Sequence, residues 1–238
     1  MTRTTAKSWF WRGARDSLPF IFVAGPFGLL FGVLAAEAGL DLTMIFTFSM
    51  TVFAGSAQFA ALQLLREDAP TLIILASALA VNLRVAMYSA SLTPYLGGAP
   101  LWQRALAAYF TVDQSYSLSI VKFETEPAMT VPQRMAYFFG TSALIAPLWY
   151  TATLVGAVMG SQIPDSWALD FALPIAFLAM IGPMLRTPAH IAAALVSIVV
   201  AILAVGIPYN LGLLVAGAAA MMTGAQVELM LKRRGLFS

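Results

Sequence analysis

The sequence predicts an all-α, polytopic integral membrane bundle, and three observations predict it. Apolar residues make up 60% of the 238 positions, charged ones only 10%, and the mean hydropathy is +0.83, a composition no water-soluble chain of this length would tolerate on its surface. The apolar positions gather in runs of about 20 residues, the length that crosses a hydrocarbon core of about 30 Å. These runs are continuous and do not alternate, which excludes a transmembrane barrel.

Along the chain, charged residues and Pro/Gly breaks delimit spans near residues 17–36, 42–65, 71–93, 104–122, 135–158, 167–185, 189–206 and 210–230. That makes eight helices, or seven if one of the last two falls away, in a single transmembrane domain over residues 1–238. Residues 1–16 form a basic N-terminal segment and 231–238 a basic tail. The first run has no small-residue cleavage site, so it reads as a retained helix and not a secretory signal. Gly28 with Gly32, and Gly156 with Gly160, are small-xxx-small pairs that let helices approach closely. Trp9, Trp11, Trp102 and Trp167 read as interfacial anchors.

Positive charge orients the spans. Arg3, Lys7, Arg12, Arg15, Arg66, Lys122, Arg134, Arg186, Lys232, Arg233 and Arg234 all fall on one side, with Arg104 opposite and Arg84 inside the membrane. Both termini are therefore expected in the cytoplasm. The net charge of +2 follows from this bias, and no Lys/Arg patch with interleaved aromatics points to nucleic acid. With no cysteine, one histidine, and no HExxH or GxSxG motif, the usual nucleophile and metal constellations of an enzyme are missing, and no cofactor is implied. The single histidine, His190, follows Pro188 near a span end, where a solvated or capping role is expected.

Arg84 and Asp113 are the residues that point to function. Arg84 lies roughly 20 Å and roughly 14 Å from the ends of the third span, and Asp113 about 14 Å from either end of the fourth. Snorkelling does not cover that distance, and charges at such depth are costly and rarely idle. In an antiparallel pair the two fall at similar depth. Ser77, Arg84, Tyr88 and Ser91 share one helical face; so do Tyr109, Asp113, Tyr116 and Ser117, and Thr47, Thr51, Gly55 and Gln58. Such stripes face protein or water, and three of them are expected to line one cavity. Asn82 points elsewhere, about 200° around the helix from Arg84. The competing reading is a structural ion pair that stitches two helices.

Gly25 and Pro26 stand near the middle of the first span, where a proline frees a carbonyl and unpairs the backbone. A helix broken there would aim an N-terminus, the positive end of its dipole, at mid-membrane depth, suited to a carboxylate. A weak internal repeat is also readable: Leu18-Pro19-Phe20 to Gly25-Pro26 echoes Leu173-Pro174-Ile175 to Gly182-Pro183, and Gly55-Ser56-Ala57-Gln58 echoes Thr223-Gly224-Ala225-Gln226.

These residues resemble the AzlC-type large subunits of bacterial branched-chain amino acid exporters, the LIV-E family, over nearly the whole chain. Gly25-Pro26-Phe27-Gly28 with Phe31-Gly32 carries the likeness, as do Phe53-Ala54-Gly55-Ser56-Ala57-Gln58-Phe59, Asn82-Leu83-Arg84 with Tyr88, and Asp113. Val85 stands where the family pattern often has His and Gln114 where Glu is common, and each departure removes a titratable group. The resemblance implies export of valine, leucine or isoleucine, with methionine a further substrate, across the bacterial inner membrane, in company with a small AzlD-type membrane subunit.

A zwitterionic amino acid in a bilayer needs one partner for its carboxylate, one for its ammonium and an apolar pocket. Arg84 with the Gly25-Pro26 helix end is expected to hold the carboxylate, Asp113 or a freed carbonyl near Gly25 the ammonium, with Gln58 and Tyr88 as neutral donors. Asp113 also carries the coupled proton: burial favours its neutral form, a neighbouring guanidinium its charged form, so substrate that draws Arg84 away promotes protonation. A passive channel lined by the same stripes and a permease subunit of an ATP-driven transporter are the alternatives.

Overall fold

The structure, a computed structural model, describes residues 5–160, 185, 187–207 and 211–234. Regular structure among the described residues is helical throughout. It comprises α1 (Ala6–Asp16), a 3-10 turn (Leu18–Phe20), α2 (Ile21–Glu37), α3 (Leu42–Thr51), α4 (Gly55–Arg66) and α5 (Thr71–Leu96). There follow α6 (Leu101–Tyr109), α7 (Asp113–Thr125), α8 (Val131–Ala143), α9 (Ile145–Gly160), α10 (Pro188–Leu203) and α11 (Leu211–Arg233). Among the described residues four stretches are long and apolar enough to cross a membrane, Ala6–Glu37, Thr71–Leu96, Val131–Gly160 and Leu214–Arg233, with α3 and α10 shorter apolar helices. Leu72, Leu79, Leu83 and Met87 are exposed along α5, the reverse of a soluble helix and what a lipid-facing surface requires.

The expected eight spans are not matched one for one. The sixth, at 167–185, lies outside the described residues except for Leu185. The second and fourth are each cut into two short helices. Val52–Ala54 separates α3 from α4, and Phe110–Val112 separates α6 from α7. Local chemistry explains the second cut: Thr111 and Val112 are β-branched, Val112 is extended at φ −133°, and Ser115 Oγ takes the Val112 N–H at 2.9 Å while donating to the Phe110 carbonyl oxygen at 2.9 Å. A side chain that serves the backbone in this way competes with the helix ladder.

The chain divides into two compact units, Met1–Leu62 with Val81–Trp167, and Gln63–Ala80 with Ala168–Ser238. In the first, α1 packs on α8 and α2 on α9, two nearly continuous rods side by side. Glycine sets their separation. A Cβ at Gly32 would run into the Thr153 carbonyl, one at Gly156 into the Leu29 carbonyl, and one at Gly13 or Gly140 into the facing backbone of the other rod. Phe31, fully buried, meets Phe48 and Phe59 edge on and stacks on Trp149, whose indole donates to Ser49 Oγ at 3.0 Å, so α2, α3, α4 and α9 share one core. Gly39, at φ +80°, makes the turn from α2 to α3 in a conformation that suits glycine.

At one end of this unit Tyr137 donates to Asp16 Oδ2 at 2.8 Å and Lys122 approaches the same oxygen at 3.6 Å. Trp9 is not an exposed anchor. It is buried against Tyr137, with the Arg12 guanidinium over its ring, because α1 packs on α8. Trp11 and Trp102 are exposed.

In the second unit α10 packs on α11, with Gly224 close to Ala193. His190 is exposed, and its N–H donates to Thr187 Oγ1 at the start of α10, a capping arrangement. The repeat does not extend to the one echo that is described on both sides: Gly55 opens a helix after a break, whereas Thr223–Gln226 lies inside the continuous α11.

Candidate functional site

Arg84, Tyr88 and Ser91 recur at i, i+4 and i+7 on α5, one face of that helix. Asp113 and Tyr116 recur at i and i+3 on α7. The two faces meet. Arg84 Nη2 lies 3.0 Å from Asp113 Oδ2, and the same nitrogen donates to Ser56 Oγ at 2.5 Å. Tyr88 donates to the other carboxylate oxygen, Oδ1, at 2.8 Å. Its ring lies face to face with that of Tyr116, 4.2 Å between centroids, and the Tyr116 hydroxyl shares a 3.2 Å hydrogen bond with Ser91.

The helix breaks place these groups. Asp113 is the first residue of α7 and Ser56 the second of α4. Each helix begins with N–H groups that no helical carbonyl reaches, and each start carries the positive end of a helix dipole. Val112 offers α7 no side-chain cap. Arg84 therefore stands beside two positive helix ends with Asp113 as its one anionic neighbour in the cluster.

Burial sharpens this. Gln58 is 0% exposed, and neither its Nε2 nor its Oε1 has a partner among the described residues; Asn82 Oδ1 and Arg84 Nε are also buried and unpartnered. An unpaired buried polar group costs roughly 1–3 kcal/mol. By contrast the side chains of Arg84 and Asp113 keep 30% and 39% of their surface open. A fully buried structural stitch would leave neither side chain exposed to this degree.

Of the residues the sequence singles out, Arg84, Tyr88 and Asp113 come together directly. Gln58 lies two residues beyond Ser56 on α4. Gly25 and Pro26 do not join them: α2 runs unbroken from Ile21 to Glu37 with Pro26 inside it, Gly25 faces the Leu148 side chain, and Pro26 is exposed. Pro26 stands in the second turn of α2, so its missing N–H leaves a single carbonyl of the preceding turn unpaired, and the helix tolerates that. The break expected at Gly25-Pro26 is not there; the helices break instead at 52–54 and 110–112, where none was expected. The freed carbonyl expected near Gly25 is likewise absent from the site.

The stripes are corrected by the same breaks. Tyr109, expected beside Asp113, donates instead to the Met50 carbonyl oxygen at 2.6 Å. Thr51 bonds back to the carbonyls of its own helix, at Thr47 and Phe48. Ser56 is the site residue that periodicity missed; the signal that marks it is Gly55-Ser56 after the strand-favouring pair Val52-Phe53. A separate cavity of about 360 Å³ lies toward the other end of α5, lined by Ser89, Leu92, Leu96, Leu101, Arg104 and Thr111 among others.

The AzlC protein family model matches residues 19–163, a stretch that holds Ser56, Gln58, Arg84, Tyr88 and Asp113. A Helicobacter pylori (strain ATCC 700392 / 26695) protein described as an uncharacterized membrane protein is 25% identical over 154 residues, 64% of this chain and 65% of that one. The chain thus aligns with slightly under two thirds of that relative's length. The inner membrane protein YgaZ of Escherichia coli (strain K12) is 24% identical over 178 residues, 72% of this chain and 71% of YgaZ. An Archaeoglobus fulgidus membrane protein is 25% identical over 181 residues, 74% of this chain and 76% of that one. No solved structure gives a significant match. With the family pattern laid over every residue of the charged cluster, and with relatives named as membrane proteins, this chain belongs to the AzlC family of membrane proteins.

Proposed function

We propose that this protein is the large subunit of a secondary active transporter that exports valine, leucine and isoleucine, and methionine by the same fit, across the bacterial inner membrane. In this reading both termini are cytoplasmic, the proton motive force drives export, and a small AzlD-type membrane subunit completes the transporter. The observation that carries it is Arg84 held between Ser56 and Asp113 at two helix starts, both positive dipole ends. A substrate carboxylate suits that setting and competes with Asp113 for it.

The steps follow from the contacts. The carboxylate competes with Asp113 for the Arg84 guanidinium, helped by charge-assisted bonds to first-turn N–H groups. Asp113, released from the guanidinium but still bonded to Tyr88, meets the substrate ammonium or takes a proton. Buried Gln58, two residues beyond Ser56 on α4, offers a neutral donor and acceptor without partners among the described residues. A proton that enters gains about 2.3 kcal/mol per 100 mV of membrane potential. The carboxylate that a proton neutralises no longer holds the ammonium, which releases substrate.

Cells loaded with branched-chain dipeptides test this by efflux of the freed amino acids, measured with and without the gene and with an uncoupler. Export that depends on the gene and collapses with the uncoupler is expected. Gene-dependent flux indifferent to the uncoupler, with no counterflow of labelled leucine in proteoliposomes, would replace the carrier with a channel. Export that demands a nucleotide-binding partner would replace it with the ATP-driven reading.

A further inference from the structure

Tyr109 joins the two helix breaks. Its hydroxyl donates to the Met50 carbonyl oxygen at 2.6 Å and stands 2.8 Å from the Tyr150 hydroxyl. A phenol has one proton, so with that of Tyr109 committed to Met50, Tyr150 on α9 is the donor to Tyr109. Met50 is the next-to-last residue of α3, and its carbonyl is among those at a helix end that no helical N–H reaches. Tyr109 is itself the last residue of α6. One side chain at the second break therefore satisfies a backbone group at the first.

Phe53, buried in the non-helical stretch of the first break, reinforces the link. It stacks on Tyr109 at 5.8 Å, tilts against Tyr150 at 5.5 Å and meets Phe110 edge on at 5.8 Å. Ser56 follows Phe53 by three residues and Asp113 follows Phe110 by three. Both are held by a single nitrogen of Arg84. That nitrogen reaches the two oxygens only while the breaks keep their spacing.

We propose that Tyr109 is a positioning residue of the transport site: its bond to Met50 fixes the separation of the two breaks and thereby the Ser56-to-Asp113 span that Arg84 bridges. This rests on reading the Arg84 cluster as the substrate site. Tyr150 steadies the phenol by donating to it and is the lesser member, because its loss leaves the Met50 bond in place.

Tyr109→Phe keeps the ring against Phe53 and removes only the hydroxyl. The KM for the exported amino acid is expected to rise roughly tenfold, the scale of one hydrogen bond, and Ser56→Ala to do the same. The double variant adds little, because both act through one contact. Fully multiplicative effects would mean that Tyr109 merely stabilises the fold and would overturn the proposal.

A second measurement needs no substrate. The chain has no cysteine, so spin labels go to Met44→Cys on α3 and Val121→Cys on α7, both exposed positions of the first unit. Tyr109→Phe broadens their distance distribution and Tyr150→Phe broadens it less. A distribution unchanged by Tyr109→Phe would overturn the proposal whatever the parent transports. A broadened one in a protein that exports no amino acid upholds the link between the breaks and removes the proposed function instead.

Discussion

Tyr88 and Tyr116 lie face to face, 4.2 Å apart and within 9° of parallel, so the phenol that holds Asp113 is itself fixed by a ring on the same helix as Asp113. The pair divides two contributions that one substitution separates. Tyr88→Phe keeps the stack and loses the bond to the carboxylate, which as a hydrogen bond to a charged group contributes about 1.5–3 kcal/mol. Initial efflux rates are expected to fall roughly tenfold to a hundredfold at normal protein level. Tyr88→Ala, which loses both, falls further; equal rates for Tyr88→Phe and the parent would remove Tyr88 from the site.

Arg84→Ala and Asp113→Asn each abolish export while the protein remains in the membrane at parental level. Arg84→Lys retains the charge, but its shorter side chain stops short of the place where Nη2 meets both Ser56 and Asp113, and it lacks the fork that binds a substrate carboxylate bidentately. It lowers efflux at least roughly tenfold, the equivalent of about 1.4 kcal/mol. Should the Ala and Asn variants both export at the parental rate in the dipeptide assay, the site is misassigned.

Gln58→Leu separates stability from transport. It removes two buried polar atoms that lack partners and keeps a side chain of similar volume, so detergent-solubilised protein gains stability on the order of 1–3 kcal/mol and its Tm rises by several degrees. Export falls in the same variant. A lower Tm would show that Gln58 is satisfied in the folded protein.

Glycines on the two rods differ sharply. Gly32→Ala and Gly156→Ala drive a methyl group into a facing carbonyl, which forces the rods apart and costs about 1–3 kcal/mol or more each. Gly25→Ala meets nothing nearer than the Leu148 side chain at 3.8 Å, an ordinary contact. Fluorescence-detected size exclusion is expected to show a reduced or aggregated peak for the first two and a parental peak for Gly25→Ala. Pro26→Ala likewise leaves the peak intact, since α2 is already continuous there.

Much of the charged cluster was legible because it depends on helical periodicity. Arg84, Tyr88 and Ser91 keep the α5 period over an unbroken helix, so their common face follows from spacing alone. Tyr109 was misplaced because the same rule was carried across Phe110–Val112, where no helix runs. Ser56 was missed for a related reason: its role comes from opening a helix, and a stripe has no such term. Pro26 misled in the opposite sense, since a proline reads as a break wherever it stands and only its position relative to the helix start decides the outcome.

Composition by itself determined that this chain belongs in a bilayer as helices, since so apolar a sequence with continuous runs has no other way to pair its backbone. It also determined that Arg84 and Asp113 are the charges to be accounted for. Tertiary structure decided where the spans break and which groups meet at the breaks. Those depend on partners far apart in the chain, such as Tyr109 and Met50, 59 residues apart, whose hydrogen bond makes an interrupted helix tolerable and which no local pattern records.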